Sequence, residues 1–393
     1  MMPHGRTTTV VALGATQTLA WASSYYLPAI LAAPMARDLG LTTSWIFGAF
    51  SAALLLSAGL GPAVGRAIDR RGGRDVLVVS NLLLAAGLVV LALAHGPVVL
   101  TAGWIVLGLG IAAGLYDAAF ATLAGLYGRE ARGAITGITL IAGFASTVGW
   151  PASAALDASL GWRGACLVWA GAHLLIGLPI NRWLIPAAPP RGPAAAPTDD
   201  PGEAPRGAMV LLAFIFAAAW FVTGAMAAQL PRLLEAAGAS ATAAIAASAL
   251  VGPAQVAARV AEFGLLRRAH PMISARLAAV LHPLGAAALL AIGGGPIAAA
   301  AFALLHGAGN GLLTIARGTL PLAIFGPAGY GHRNGLLGAP ARGAQAFAPF
   351  LFGLVLDQAG PRWAVVLSSS LMLAALAALF ALRPAPPAAV RTG

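Results

Sequence analysis

A cluster of arginines between two uncharged apolar stretches is the feature that most limits what this chain can fold into. The cluster reads Gly65-Arg66-Ala67-Ile68-Asp69-Arg70-Arg71-Gly72-Gly73-Arg74, and neither residues 45–64 before it nor residues 76–94 after it contain a charge. Each apolar stretch has about the 20 residues that a helix needs to cross a bilayer. A dense positive cluster between two such stretches indicates a loop between two membrane helices.

The composition favours a membrane protein over a basic soluble protein. Of the 393 residues, 59% are hydrophobic and 9% are charged, whereas a soluble domain carries about 25% charged residues. The formal net charge of +11 would favour nucleic-acid binding in a soluble protein. Here the arginines stand in short segments between apolar stretches, so we expect a lipid bilayer and no nucleic acid as a partner. The single cysteine, Cys166, excludes a disulfide within the chain.

Hydropathy and the arginine distribution predict an all-α polytopic membrane protein with twelve spans and both termini in the cytoplasm. In that orientation sixteen arginines fall on the cytoplasmic side and only four fall outside, at Arg37, Arg163, Arg232 and Arg362. The first apolar stretch lacks a small-residue cleavage site, so we expect a retained span in the cell (inner or plasma) membrane. The predicted spans are 8–33, 43–64, 75–94, 97–125, 133–156, 163–185, 208–230, 240–264, 272–293, 295–324, 334–356 and 362–382.

The two halves of the chain are predicted to be repeats of six helices each. Residues 186–207 are rich in proline and glycine and contain three acids, a composition typical of a flexible linker. This cytoplasmic linker divides residues 1–185 from residues 208–393. Pseudo-symmetric halves are a common build of secondary transporters. Several short matches recur in the same order in both halves, including Gly61-Pro62-Ala63 with Gly252-Pro253-Ala254, and Gly143 and Asp157 with Gly343 and Asp357.

Asp117 is the one carboxylate deep in the predicted path, about three turns from the cytoplasmic end of span 4. A carboxylate at that depth costs several kcal/mol unless it is protonated, paired or in contact with water. Two interpretations stay open. Asp117 is either a proton-coupling site or substrate contact, or a structural partner for an arginine.

Two arginines inside the spans, Arg317 in span 10 and Arg342 in span 11, are candidates for substrate binding. The repeat alignment pairs Asp117 with Thr314, one helical turn before Arg317, so Asp117 and Arg317 are expected at similar depth in opposite halves. Arginine keeps its proton and suits an anion or a carboxylate. Two arginines against one aspartate predict surplus positive charge and a small organic anion as substrate. The alternatives are a gate-closing salt bridge for Arg317 and a position against another helix for Arg342.

Aromatic and polar residues in the spans are further candidates. Trp21 and Tyr25 lie at helical spacing on a polar side of span 1, which can line a water-filled path or pack between helices near the outer surface. On span 8, Arg259 and Glu262 are three residues apart and are predicted to pair on one helix face in a structural or gating role. No cofactor is expected, and no metal-ligand spacing occurs. The remaining candidate substrate-binding residues are Tyr116, Trp220, Asn310 and Gln345.

The arginine cluster has a specific spacing, in which Gly65, Asp69, Arg70, Gly72 and Arg74 fit the pattern G-x-x-x-D-R-x-G-x-R. On these residues, together with the twelve spans and the central linker, essentially the whole chain resembles the major facilitator superfamily of transporters. The resemblance implies two six-helix bundles around a central cavity that work by alternating access. It implies a gating role for the five loop residues, in which Asp69 helps to lock the cytoplasmic side.

The same resemblance implies which helices form the transport path. Helices 1, 4, 7 and 10 line the cavity in the family, which places Trp21, Asp117, Trp220 and Arg317 on the path. Drug antiporters of the family often carry G-x-x-x-G-P-x-x-G-G in helix 5. Residues 143–152 here read GFASTVGWPA, without the Gly-Pro pair or the double glycine, and this argues against multidrug antiport without excluding it.

Three functions therefore compete. The first is proton-coupled transport of a small organic anion, by symport or antiport, in a protein expected to be a monomer. The second is proton-driven export of drugs or lipophilic metabolites, favoured by the aromatic residues and the loop pattern. The third is a membrane enzyme or a non-transporting receptor. An enzyme should show clustered His, Asp, Glu or Cys near one membrane face, and the sequence has no such cluster.

Overall fold

The computed structural model describes residues 5–187, 207–266 and 268–382. The described residues form twelve helical spans in the predicted order and contain no strand. Most of the predicted linker lies outside the described residues. Eight helical stretches are long and apolar enough to cross a membrane, and one of them, Pro97–Trp183, contains three of the spans. Five arginines used in the orientation count also lie outside the described residues, namely Arg191, Arg206, Arg267, Arg383 and Arg391.

Seven spans are single helices. Spans 2 and 3 are Thr43–Arg71 and Arg74–Ala92. In the second half, the uninterrupted spans are span 7 and spans 9 to 12, which run Ala208–Ala236, Pro271–Ile292, Pro296–Phe325, Tyr330–Ala359 and Pro361–Ala381.

The other five spans are interrupted. Span 1 consists of Arg6–Ala20, a π-helical segment Trp21–Tyr25, and Leu27–Leu39. Span 4 is broken into Pro97–Gly114 and Tyr116–Tyr127. Spans 5 and 6 comprise Ala131–Ala142, Ala145–Ala172 with a kink at Gly161, the π-helical His173–Gly177, and Leu178–Trp183. Span 8 comprises Ala241–Ala249, Val251–Ala261 and the π-helical Glu262–Leu266.

Span 2 extends further than predicted. Its predicted end was residue 64, but the helix continues to Arg71 through most of the arginine cluster. Arg70 and Arg71 lie in the last turn, where positive side chains interact favourably with the helix dipole. The helix stops at Gly72, whose φ of 82° is open to glycine and strained for other residues. Much of the predicted loop is therefore the C-terminal end of span 2.

Each half of the molecule has its own apolar core. Spans 7 to 12 share a core that includes Phe216, Phe302 and Phe352. Spans 1 to 6 contain two smaller cores, one around Trp104 and one around Phe120. A few residues of the second half also pack into these two cores. The twelve spans therefore form two bundles of six helices.

The two bundles meet most closely along spans 2 and 11. The backbones touch there, because a Cβ atom on Gly65 would overlap the carbonyl group of Gly331, and one on Gly335 would overlap the backbone of Gly61. These contacts lie on the side of the molecule that carries residues 65–74, which we call the arginine-loop side. On the same side, Arg132 of span 5 pairs with Glu262 of span 8 at 3.1 Å. The bundles are therefore closed against each other on the arginine-loop side.

Candidate functional site

A cavity lies between the two bundles and holds about 530 Å³ of empty space, open solvent included. Asp117 and seven of the predicted substrate-binding residues line it, namely Trp21, Tyr25, Tyr116, Trp220, Arg317, Arg342 and Gln345. Much of the remaining wall is apolar and comes from Leu54, Ile111, Leu115, Phe120 and Ala341.

Asp117 lies between two arginines of the opposite bundle. Its Oδ1 atom is 3.1 Å from Nη2 of Arg317, and its Oδ2 atom is 2.7 Å from Nη2 of Arg342. The side chains of Asp117, Arg317 and Arg342 are 17%, 4% and 11% exposed, so the ion pairs are largely shielded from solvent. Two guanidinium groups share one carboxylate, which leaves one positive charge in surplus at the end of the cavity nearest the arginine loop.

Arg317 is held in place by groups that the sequence analysis did not identify. It donates to the side-chain oxygen of Asn334 and, at 2.9 Å, to the backbone carbonyl of Asn334. The Asn334 amide in turn donates to Oδ1 of Asp117 at 3.2 Å. The guanidinium carbon of Arg317 also lies 4.8 Å from the ring centre of Phe216, within the range of a cation–π interaction. Asn334 therefore fixes the relative positions of Arg317 and Asp117.

Arg342 reaches across to span 2. Its Nη1 donates to the hydroxyl of Ser57 at 2.9 Å and to the Ser57 carbonyl at 3.2 Å, while Nη2 contacts Asp117. One guanidinium group of the second bundle thus contacts two spans of the first bundle.

The break in span 4 determines where Asp117 lies. Leu115 has an extended backbone (φ −84°, ψ −169°), and a new helix, Tyr116–Tyr127, begins directly after it. Asp117 therefore lies in a first helical turn, where unpaired backbone N–H groups favour negative charge. The break also frees the carbonyl of Gly114, which accepts a 2.6 Å hydrogen bond from Nε2 of Gln17. Interrupted helices of this kind are typical of ligand sites in secondary transporters.

One wall of the cavity is aromatic. The ring centres of Tyr25 and Tyr116 lie 5.1 and 4.9 Å from that of Trp21, and Nε2 of Gln345 donates to the Tyr25 hydroxyl at 2.7 Å. Trp21 and Tyr25 stand at the two ends of the π-helical segment of span 1. Trp220 lines the cavity from the second bundle. The cavity therefore combines a charged end with an aromatic wall.

Asn310 is not among the residues that line the cavity. Its side-chain oxygen accepts a 3.1 Å hydrogen bond from the hydroxyl of Thr223, so it packs against span 7. Asn310 was expected to contact substrate because it is a polar residue in a predicted path helix, but the helix turns it toward a neighbour.

Asp69 joins the two bundles on the arginine-loop side. Its two carboxylate oxygens accept hydrogen bonds from the backbone N–H groups of Gly331 and His332, at 2.9 and 2.8 Å. Both N–H groups belong to the first turn of span 11, which begins at Tyr330, and a carboxylate there interacts favourably with the helix dipole. The side chain of Arg66 lies 3.2 Å from Nδ1 of the same His332.

The other predicted gating residues occupy different positions. Gly65 permits the contact with Gly331, and Gly72 ends span 2. Arg70 is exposed and forms no hydrogen bond or ion pair with the described part of the chain, and Arg74 pairs with its own neighbour, Asp75, at 3.1 Å. The expected contribution of Arg70 to closure has no contact to support it, because the helical end of span 2 turns this side chain toward solvent.

The predicted pair of Arg259 and Glu262 is wrong. Glu262 pairs with Arg132 of span 5 and accepts a hydrogen bond from Ser274. Arg259 instead contacts span 5 through the carbonyl of Thr139, at 3.1 Å. Residues three apart face one side only in a regular helix, and span 8 changes to a π-helical segment at Glu262.

The comparison with known proteins identifies the family. The sequence profile of the Major Facilitator Superfamily matches residues 13–305, which is more than half of the chain. The chain belongs to the major facilitator superfamily. Among curated protein sequences, none matches it.

Solved structures of superfamily members share the fold along nearly the whole chain. The human organic anion transporter MFSD10 (TETRAN) is 20% identical, with a TM-score of 0.73, and 95% of this chain and 99% of that chain are covered. FucP in the outward conformation is 13% identical, with a TM-score of 0.77 and coverage of 96% and 99%. The proton:xylose symporter XylE, bound to 6-bromo-6-deoxy-D-glucose, is 15% identical, with a TM-score of 0.71 and coverage of 97% for each chain.

Membership in the superfamily confirms the central expectations from the sequence. The protein is a multi-pass membrane protein with the superfamily fold, and it is a secondary transporter, not an enzyme. The identities to the solved structures are too low to carry a substrate from those proteins to this one. The site itself must therefore supply the argument for what is transported.

Proposed function

We propose that this superfamily member transports a small organic anion by alternating access and couples that movement to protons. The observation that carries the proposal is the shared carboxylate of Asp117, in contact with both Arg317 and Arg342. Arginine does not lose its proton, so these two side chains keep a positive charge that one carboxylate cannot balance. A carboxylate or another anionic group on the substrate would balance it.

Proton coupling follows from competition for the same arginines. A substrate anion that binds Arg317 and Arg342 displaces Asp117 from them. Without a counter-charge, a carboxylate at this depth favours its neutral form. Substrate binding therefore promotes protonation of Asp117, and release of the substrate promotes loss of that proton. This cycle gives symport, because the substrate and the proton are bound at the same time.

The gate of the proposed cycle is the contact between spans 2 and 11. The two bundles, residues 1–185 and 208–393, move relative to each other and are joined by the linker at 186–207. The protein lies in an inner or plasma membrane, and its arginine-loop side faces the cytoplasm. The hydrogen bonds of Asp69 to Gly331 and His332 hold that side closed, and Gly65 permits the close approach. Both termini are then cytoplasmic, and a monomer contains the whole path.

The aromatic wall supports a second candidate, the export of a lipophilic drug or metabolite. Trp21, Tyr25, Tyr116 and Trp220 offer ring surfaces to the cavity, and aromatic surface suits lipophilic compounds. The charged end of the cavity favours the anion, because desolvated arginines bind a neutral compound poorly.

Proteoliposomes that contain the full chain and a trapped pH indicator would separate the two candidates. Carboxylates, cationic dyes and neutral lipophiles are added in turn, with protein-free liposomes as the control for passive diffusion of weak acids. We expect carboxylates to move protons faster with the protein than in the protein-free control, and a protonophore to abolish uphill accumulation. Movement of cationic or neutral compounds alone would reject the anion proposal in favour of the second candidate.

A further inference from the structure

Arg259 is a buried charge without a counter-charge. It is 5% exposed and lies in span 8, within a membrane protein, where an unpaired charged side chain is costly. No carboxylate of the described chain forms an ion pair with it, since Glu262 pairs with Arg132 and Asp117 pairs with Arg317 and Arg342. A structural arginine in a membrane span usually has such a partner.

Arg259 donates four hydrogen bonds, of which three are long. The best is the 3.1 Å bond from Nη1 to the carbonyl of Thr139. The others run to the hydroxyl of Thr314 at 3.3 Å, to the amide oxygen of Gln255 at 3.4 Å and to the carbonyl of Gly311 at 3.5 Å. All four acceptors are neutral, and the last three bonds are near the long limit of a hydrogen bond, so no negative charge in these contacts offsets the guanidinium group.

Arg259 does not itself line the cavity but lies directly behind its wall. Thr314, to which Arg259 donates at 3.3 Å, lines the cavity. In the repeat alignment Thr314 is the counterpart of Asp117. One half of the pseudo-symmetric site therefore has a carboxylate among arginines, and the other half has a hydroxyl beside an arginine that has no carboxylate.

We infer that Arg259 is a second anion-binding residue and that the substrate is a dianion, such as a dicarboxylate. This inference rests on the proposed function and extends it to the number of charges. With Asp117 displaced and protonated, as in the proposed cycle, Arg259, Arg317 and Arg342 keep three positive charges around the cavity, which favours a dianion over a monoanion. One substrate carboxylate binds Arg317 and Arg342. The second approaches Arg259 beside Thr314, the position in the second half that corresponds to Asp117 in the first.

The competing explanation is that Arg259 only joins the bundles through Thr139. Loss of such a contact would change the affinity of every substrate by the same factor. A charge that binds one end of a dianion instead matters only to ligands with two charged ends. The two explanations therefore differ in how the loss of Arg259 depends on ligand charge.

The test compares succinate, glutarate and adipate, each with its own monomethyl ester, by equilibrium binding to the purified full-length protein. An acid and its ester have nearly the same length but differ by one charge. We expect at least one diacid to bind about tenfold or more tightly than its ester, the effect of one additional desolvated charge pair. Arg259→Gln should bring that ratio close to one without weakening the ester, and Arg259→Lys should keep part of the preference.

Arg232→Gln is the matched control, because it removes the same charge from an exposed pair with Asp357, neither of which lines the cavity, and it should keep the wild-type ratio. Thermal unfolding of each variant checks that the fold is intact. Equal binding of every diacid and its ester by the wild type would overturn the inference, and so would equal weakening of both by Arg259→Gln. Both results leave the anion proposal standing, whereas the absence of binding by all six compounds would count against the anion proposal itself.

Discussion

Asp117 on span 4 and Arg342 on span 11 join the two bundles through a 2.7 Å contact between Oδ2 and Nη2. Together with the pair of Asp117 and Arg317, this contact crosses the interface that has to open and close during alternating access. A single carboxylate thus holds the two bundles together at the same place where substrate charge is expected. Substrate binding and bundle movement therefore act on the same ion pairs.

The first prediction concerns coupling. Asp117→Asn removes the titratable group but keeps an oxygen that can accept from one arginine, so uphill accumulation should be lost while exchange of substrate across the membrane continues. The measurement is accumulation and counterflow in the same proteoliposomes. If the variant still accumulates substrate against a gradient with the wild-type pH dependence, then Asp117 is a structural partner and coupling lies elsewhere.

The second prediction concerns the arginines. Arg317→Ala should weaken binding of an anionic ligand by about 2–5 kcal/mol, as when a buried charge pair loses one partner. Asn334→Ala should weaken the same ligand less, because the charge stays and only its position is lost. Isothermal titration of both variants with one carboxylate gives the comparison. A larger loss in Asn334→Ala than in Arg317→Ala would show that Arg317 does not contact the substrate.

The sequence was sufficient for much of this site because charges in apolar spans are few. Asp117, Arg317 and Arg342 stand out in predicted spans without any other Asp, Glu, Lys or Arg, and the lengths of the apolar stretches predict twelve spans. Asn334 carries no such signal, since its importance comes from lying between two side chains that are distant in sequence. The pair of Arg132 and Glu262, the break at Leu115 and the outward position of Arg70 likewise depend on how the helices pack.

The third prediction concerns stability in acid. His270 precedes span 9, and its Nδ1 accepts a 3.2 Å hydrogen bond from the backbone N–H of Met272. Partial burial, assisted by the charges of Arg132 and Arg276, lowers the pKa of His270 from its ordinary value of 6.5. As the pH falls through 6.5, the unfolded chain takes up the proton before the folded one. The contribution to stability is therefore complete above pH 6.5 and decreases as the pH falls toward the lowered pKa.

His270→Asn is the matched variant for this prediction. Asparagine supplies a side-chain oxygen for the cap but does not titrate, so the acid-dependent loss should disappear while the cap, worth about 0.5–2 kcal/mol, is kept. Thermal unfolding midpoints measured from neutral to mildly acidic pH report the difference. Identical pH profiles for the variant and the wild type would assign the acid sensitivity to other groups.

The last prediction concerns the gate and uses two glycines of span 2. Gly65→Ala places a methyl group against the carbonyl of Gly331, whereas a Cβ atom on Gly59 meets nothing within 4 Å. The extra methyl group should destabilise the closed arginine-loop side by about 1–3 kcal/mol, the usual cost of overpacking. Gly65→Ala should therefore slow transport, and Gly59→Ala should not.

Asp69→Asn should act in the same direction as Gly65→Ala, because the charged acceptor at the start of span 11 is lost. Thiol labelling reports the opening directly. A cysteine is introduced at Ser57 in a variant that also carries Cys166→Ala, and a thiol reagent is added from the arginine-loop side. Equal accessibility and equal transport rates in all three variants would mean that closure depends on other contacts between the bundles.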